Sequence, residues 1–84
     1  MTARLNVDFV PTEGAMLRIL GLIERRGFRV RELNLGERQS SSSLSILIEA
    51  RDAGRQVEVV ARQIAGLSDV SAVEVTPSQT MVPA

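Results

Sequence analysis

The sequence predicts an α+β domain built as two successive strand–helix–strand units, and three observations carry that prediction. Apolar and polar residues alternate over Leu5–Phe9 and Leu44–Ala50, the period of a strand with one buried face. Apolar residues recur at helical spacing over Ala15–Ile23 and again from Val57 to Leu67, the pattern of a helix with one buried stripe. Glycine, proline and serine cluster between these segments, where turns belong.

In the first unit, Leu5, Val7 and Phe9 alternate with Asn6 and Asp8 to give strand one. Pro11-Thr12-Glu13-Gly14 ends it, since proline has no N–H for a ladder and glycine tolerates a tight turn. The helix that starts at Ala15 closes at Arg26-Gly27, where cations answer the helix macrodipole. Phe28, Val30, Leu33 and Leu35 resume extended structure, but their phase slips by one residue at Arg31-Glu32. The slip predicts either a β-bulge or a strand buried on both faces, and a second apolar face would call for a partner.

The polar run Gly36–Ser43 fits a hairpin loop into which one or both flanking strands extend. Leu44, Ile46, Ile48 and Ala50 mark strand three, and Asp52-Ala53-Gly54 reads as the N-cap of a second helix. Val57, Val60, Ala61, Ile64 and Leu67 form its stripe, Gly66 its end, and Val70, Val73 and Val75 strand four. The domain is expected to span residues 1–76. Residues 77–84, with two prolines and little to bury, are expected to be a disordered tail. The order is βαββαβ. Right-handed crossovers then place both helices on one face of a four-stranded antiparallel sheet, the ferredoxin-like arrangement.

Composition narrows the function. A chain of 84 residues makes one domain and buries only roughly 60–65% of its unfolded surface. With no cysteine for a disulfide, association with a second copy is the expected remedy, so a homodimer is predicted. There is no His, Cys, Lys or Tyr, which removes the groups that most often perform acid–base and covalent catalysis. No catalytic residue, metal site or cofactor is expected. Zero net charge and two aromatic residues supply neither phosphate attraction nor base stacking, so no nucleic-acid partner is expected. No apolar run approaches the ~20 residues of a membrane span, and no basic-then-apolar leader opens the chain. A cytoplasmic location without membrane contact follows as the expectation.

Two local features invite function. Gly14 at a helix start leaves backbone N–H groups open to a small anion such as a carboxylate, although a tight turn alone would also use a glycine. Arg25, Arg26, Arg29 and Arg31 form a basic cluster, of which Arg25 and Arg26 answer the helix end. Arg29 and Arg31 share one strand face and, with Asn34, are candidates for contact with a partner protein.

Val7 to Val75 resembles an ACT domain, and within that family the short small subunits of acetolactate synthase. The resemblance rests on Glu13-Gly14-Ala15-Met16, on Arg26-Gly27-Phe28-x-Val30, on Glu32-Leu33-Asn34-Leu35 and on Leu67-Ser68-Asp69-Val70. It implies a non-catalytic dimer that binds and activates a thiamine-diphosphate-dependent large subunit in branched-chain amino acid biosynthesis. A free-standing amino-acid sensor acting on another protein is the alternative. In effector-sensitive relatives an amino acid sits at the dimer interface. Carried over, its site comprises Pro11, Glu13, Gly14, Ala15 and Met16 of one chain facing Arg29 and Val30 of the other. Such relatives typically carry Asn at the positions of Pro11 and Arg29, so weak valine binding or none is expected here, with a 2-keto acid as the better-suited effector.

Overall fold

The structure, a computed structural model, describes residues 2–52, 54 and 56–77. Its elements are β1 (Thr2–Phe9), α1 (Ala15–Arg25), β2 (Phe28–Glu37), β3 (Ser42–Ala50), α2 (Val57–Ala65) and β4 (Val70–Pro77). The strands form one sheet in the order β2-β3-β1-β4, and every neighbouring pair is antiparallel. This is the ferredoxin-like βαββαβ fold. No helix among the described residues is long and apolar enough to cross a membrane.

Strand alternation divides the sheet into two unlike faces. Ala3, Leu5, Val7 and Phe9 of β1 meet Leu44, Ile46 and Ile48 of β3 on the helix-bearing face, and all are buried. Ile19 and Ile23 of α1 and Val60 and Ile64 of α2 complete this core. Full burial of each such side chain is worth about 1.5–3 kcal/mol, so this one layer supplies most of the driving force for folding. The other face is polar. Asn34, Ser45, Asn6 and Glu74 lie in register across all four strands, and Glu32, Leu47, Arg4 and Thr76 form the next row.

The phase slip in β2 is a bulge. Val30 pairs with Ile48 and Glu32 with Leu47, leaving Arg31 as the extra residue. Leu33 and Leu35 therefore return to the helix side opposite Ile46 and Leu44. The strand is not apolar on both faces, and the expected need for a partner on a second apolar face is withdrawn. A different exposure replaces it. Along the helix side of β2, Phe28 is 4% exposed, Val30 is half-buried, Leu33 is 41% exposed and Leu35 48%. A straight helix over a twisted sheet covers the start of this edge strand and leaves its second half open.

The hairpin is as expected, with both flanking strands extending into the polar run and a loop of residues 38–41. Other boundaries differ from the sequence reading. The α2 N-cap is Gln56 rather than Asp52, with no side-chain cap bond, because Gly54 at φ 91° turns the chain before the helix begins. Leu67 of the apolar stripe lies beyond α2 but packs on the core from the following turn. Pro77 ends β4, and the rest of the expected tail, 78–84, lies outside the described residues.

The two-faced sheet makes a direct prediction. Ile46→Ala should cost about 2–5 kcal/mol, the usual range for emptying a core site. Leu47→Ala, one residue on and facing the polar side, should cost well under half as much. Urea unfolding of both variants checks this, and equal losses would contradict the assignment of faces.

Candidate functional site

The turn between β1 and α1 is built from exposed residues on a few backbone bonds. Val10, Pro11, Thr12 and Glu13 are exposed, Met16 is half-buried and Ala15 is buried. Thr12 N–H donates to the Val10 carbonyl at 2.7 Å, Ala15 N–H to Thr12 at 3.0 Å, and Arg18 N–H to Gly14 at 3.0 Å. Gly14 is the helix N-cap in the left-handed region at φ 80°, and no side chain caps the first turn. Any L-residue is strained in that conformation. The Ala15 amide, expected to be open to a ligand, is thus occupied by Thr12 within the turn.

Asp69, in the turn after α2, holds this segment from outside. Its backbone carbonyl accepts the Val10 N–H at 2.8 Å. Its carboxylate accepts from the Arg18 guanidinium at 2.5 Å and from the Thr12 hydroxyl. The Arg18 bond foremost, then that from Thr12, holds the Asp69 carboxyl below its ordinary value against the opposing effect of burial. Ser71 adds a bond from its hydroxyl to the Asp8 carbonyl at 3.1 Å. Three points of attachment therefore tie residues 10–18 to the start of β4. The pairing of Arg18 with Asp69, 51 residues apart, leaves no periodic trace. Only the Leu67-Ser68-Asp69-Val70 turn marked Asp69 in the sequence.

The remaining candidates lie elsewhere. Arg29 is exposed near the start of β2 and has no ion-pair partner among the described residues. Arg31, at the bulge, is paired with Glu49 at 2.8 Å. Asn34 faces Ser45 across the strand pair, and Ser45 also accepts from Arg4 at 2.9 Å. The β1–α1 turn sits beside the far end of β2. Val10 and Pro11 share a shallow surface groove with Glu37, Arg38 and the hairpin serines. From Arg29 to Glu37 is eight residues of strand, about 26 Å. One chain alone therefore does not bring Arg29 and Val30 to the Pro11–Met16 turn.

The chain is thus a ferredoxin-like βαββαβ domain whose first helix opens on a glycine turn. The sequence profile of the ACT domain matches residues 11–73, and the chain belongs to the ACT domain family. Its fold is similar to that of the ACT domain of GTP pyrophosphokinase from Chlorobium tepidum, with a TM-score of 0.73 at 15% identity over 89% of this chain and 96% of that one. It is also similar to the C-terminal domain of the MgtC protein from Mycobacterium tuberculosis, with a TM-score of 0.72 at 15% identity over 94% and 88%. A homoserine dehydrogenase from Thiobacillus denitrificans matches with a TM-score of 0.75 at 13% identity, over 90% of this chain but 17% of that one. None of the curated proteins matches the sequence. ACT domains are regulatory modules that bind small effectors and often dimerise.

Gly14→Ala should destabilise the domain by about 1–2 kcal/mol, the penalty for a left-handed Cβ. The new methyl would also meet the Arg18 Nη1 atom at 3.1 Å. Gly21→Ala should do the opposite, because nothing lies within 4 Å of a Cβ there and alanine favours a helix interior by about 1 kcal/mol. Thermal melts of the two variants should shift in opposite directions.

The Asp69 cluster predicts a pH effect with a definite sign. A carboxyl lowered in the folded state adds stability above its unfolded value, about 3.9, and loses that contribution as pH falls through the folded value. In a carbon-13 titration Asp69 should have its midpoint below that of the unfolded chain, and Arg18→Gln should raise it. A midpoint unmoved by Arg18→Gln would contradict the dominance of that bond.

Proposed function

We propose that this ACT domain is a non-catalytic regulatory subunit that binds and activates the acetolactate synthase large subunit, and that it works as a homodimer joined along β2. The observation that supports the dimer is that Arg29 and Val30 lie at one end of the edge strand and the Pro11–Met16 turn, the other half of the proposed effector site, lies beside its far end. A second copy running antiparallel along β2 brings its Arg29 and Val30 up to the Pro11–Met16 turn of the first. The uncovered Leu33 and Leu35 supply apolar surface at that edge, and Met16 and Leu20 of α1 are only partly buried against the core. Joined sheets and helices would bury roughly 1,200–2,000 Å² in total, the usual size for a specific pair. An open ten-residue edge is also a liability that such pairing removes.

The large subunit is named on the motifs Arg26-Gly27-Phe28-x-Val30 and Leu67-Ser68-Asp69-Val70. Arg29, Arg31 and Asn34 present polar groups on the open face of the sheet and are the proposed contact. Arg31 is already paired within the chain, which leaves Arg29 as the freer cation. The alternative is a free-standing sensor that controls a different protein. It is favoured by the range of enzymes sharing the fold, which includes a formyltetrahydrofolate deformylase from Burkholderia mallei (TM-score 0.70, 16% identity).

Activation means that the subunit binds the productive state of its partner more tightly than the idle one. Reconstitution with the cognate large subunit should raise turnover to a plateau, and unchanged turnover across a saturating titration would reject the partner. Free valine should give little heat in calorimetry. Its ammonium needs acceptors, whereas Pro11 offers no donor or amide oxygen on its side chain and a partner's Arg29 repels a cation. A penalty of about 3 kcal/mol weakens binding more than a hundredfold. A micromolar dissociation constant for valine, leucine or isoleucine would contradict this. A 2-keto acid, with no amine, suits the same groups better.

A further inference from the structure

We propose that two copies of this chain join β2 to β2 in a single register, with the two-fold axis passing through Leu33. This rests on the reading of the protein as a homodimer joined along β2, and it adds which residues meet. A two-fold axis relating antiparallel edge strands stands perpendicular to the sheet, so the helices of both copies lie on one side. Helix-side residues must then meet helix-side residues, because a slip of one residue would set apolar against polar. Beyond the bulge this puts the axis on a residue rather than between two. β2 has ten residues and all but Arg31 pair with β3, which leaves nine with Leu33 in the middle. Only an axis at that midpoint lets all nine find a partner on the second copy.

With the axis there, the two Leu33 side chains meet each other, and each Val30 meets Leu35 of the second copy. Val30 is half-buried and both leucines are uncovered within one chain, so this pairing closes the apolar surface that the helices leave open. On the polar face Glu32 comes opposite Asn34, and Arg29 opposite Gly36, which has no side chain to obstruct it. Each bulge lies against an Asn34 rather than against the other bulge. The neighbouring registers lose one or more of these matches. An axis at Glu32 sets two carboxylates directly opposite, a destabilising cross-strand pair, and leaves Gly36 and Glu37 without partners. An axis at Asn34 sets Val30 against Glu37 and leaves Phe28 and Arg29 unpaired. The edge is thus self-complementary in one way, as a two-fold interface requires.

The sequence has no cysteine, so one introduced thiol reports on its own symmetry mate. Directly opposite residues have Cα atoms about 4.5–5.5 Å apart, inside the disulfide range of about 4.4–6.8 Å. One rung from the axis, the two copies of residue 32 or 34 stand about 8 Å apart. Under air oxidation Leu33→Cys should form a covalent dimer at least about tenfold faster than Glu32→Cys or Asn34→Cys. Wild type gives a second reading that needs no variant to fold. In an equal mixture of carbon-13-labelled and unlabelled chains, an isotope-filtered NOE should connect the methyls of Val30 and Leu35. Within one chain these residues are four rungs apart, about 14 Å, so the signal passes between copies. Crosslinking led by Glu32→Cys or Asn34→Cys, or no NOE from Val30 to Leu35 in a sample that crosslinks, overturns the Leu33 register while the β2 dimer stands. A dimer by light scattering that crosslinks at none of the three positions and shows no NOE between β2 residues overturns the β2 joint as well. A monomer throughout overturns the homodimer and this register with it.

Discussion

Without the extra residue at Arg31, the alternation of β2 would carry Leu33 and Leu35 onto the polar face of the sheet, among Asn34, Ser45 and Arg4. The bulge puts them back opposite Ile46 and Leu44, so every strand offers its apolar side to the same layer. A one-residue change of register would expose a strand's whole apolar set, and here the insertion is absorbed by one residue whose side chain pairs with Glu49. The consequence reaches beyond the core. With one apolar face and two short helices to cover it, the shortfall falls on the second half of the edge strand.

That shortfall lies at the same end of the molecule as the Gly14 turn. The turn itself has no side-chain cap and exposes most of its residues, as a ligand-facing loop does when a rigid scaffold carries it. Asp69 supplies the rigidity by tying Val10, Thr12 and Arg18 to the start of β4. An uncovered apolar edge, a glycine turn fixed from outside and a basic strand start at the opposite end are the features that the proposed two-fold dimer would bring together. The dimeric regulatory reading draws on all three.

Much of this was legible in the sequence because it rests on local periodicity. The alternation of Leu5, Val7 and Phe9 and the stripe through Val57, Val60, Ala61 and Ile64 fixed the elements and the buried layer, and the phase slip located the bulge. What the slip could not decide was whether β2 had one apolar face or two, because that depends on the register with β3. The N-cap of α2 was misplaced since Asp52 looked suited to the task, while the positive φ of Gly54 puts the turn after it. At the site, Gly14 was visible as a conformational demand. The bond between Arg18 and Asp69 was not, because it joins two turns that only the tertiary fold brings together, and the occupation of the Ala15 amide by Thr12 is likewise a matter of turn geometry.

The proposed dimer requires β2 to be the edge that meets a second copy. Its amides fall into two sets, those bonded to β3 and those pointing outward, and only the second set depends on a neighbour. Hydrogen exchange of the isolated chain, measured residue by residue across a dilution series, separates them. The outward amides of residues 28–37 should be protected at high concentration and exchange freely once the dimer dissociates, while the outer edge of β4 exchanges freely throughout. Protection that ignores concentration, or that appears along β4 instead, would contradict the central claim.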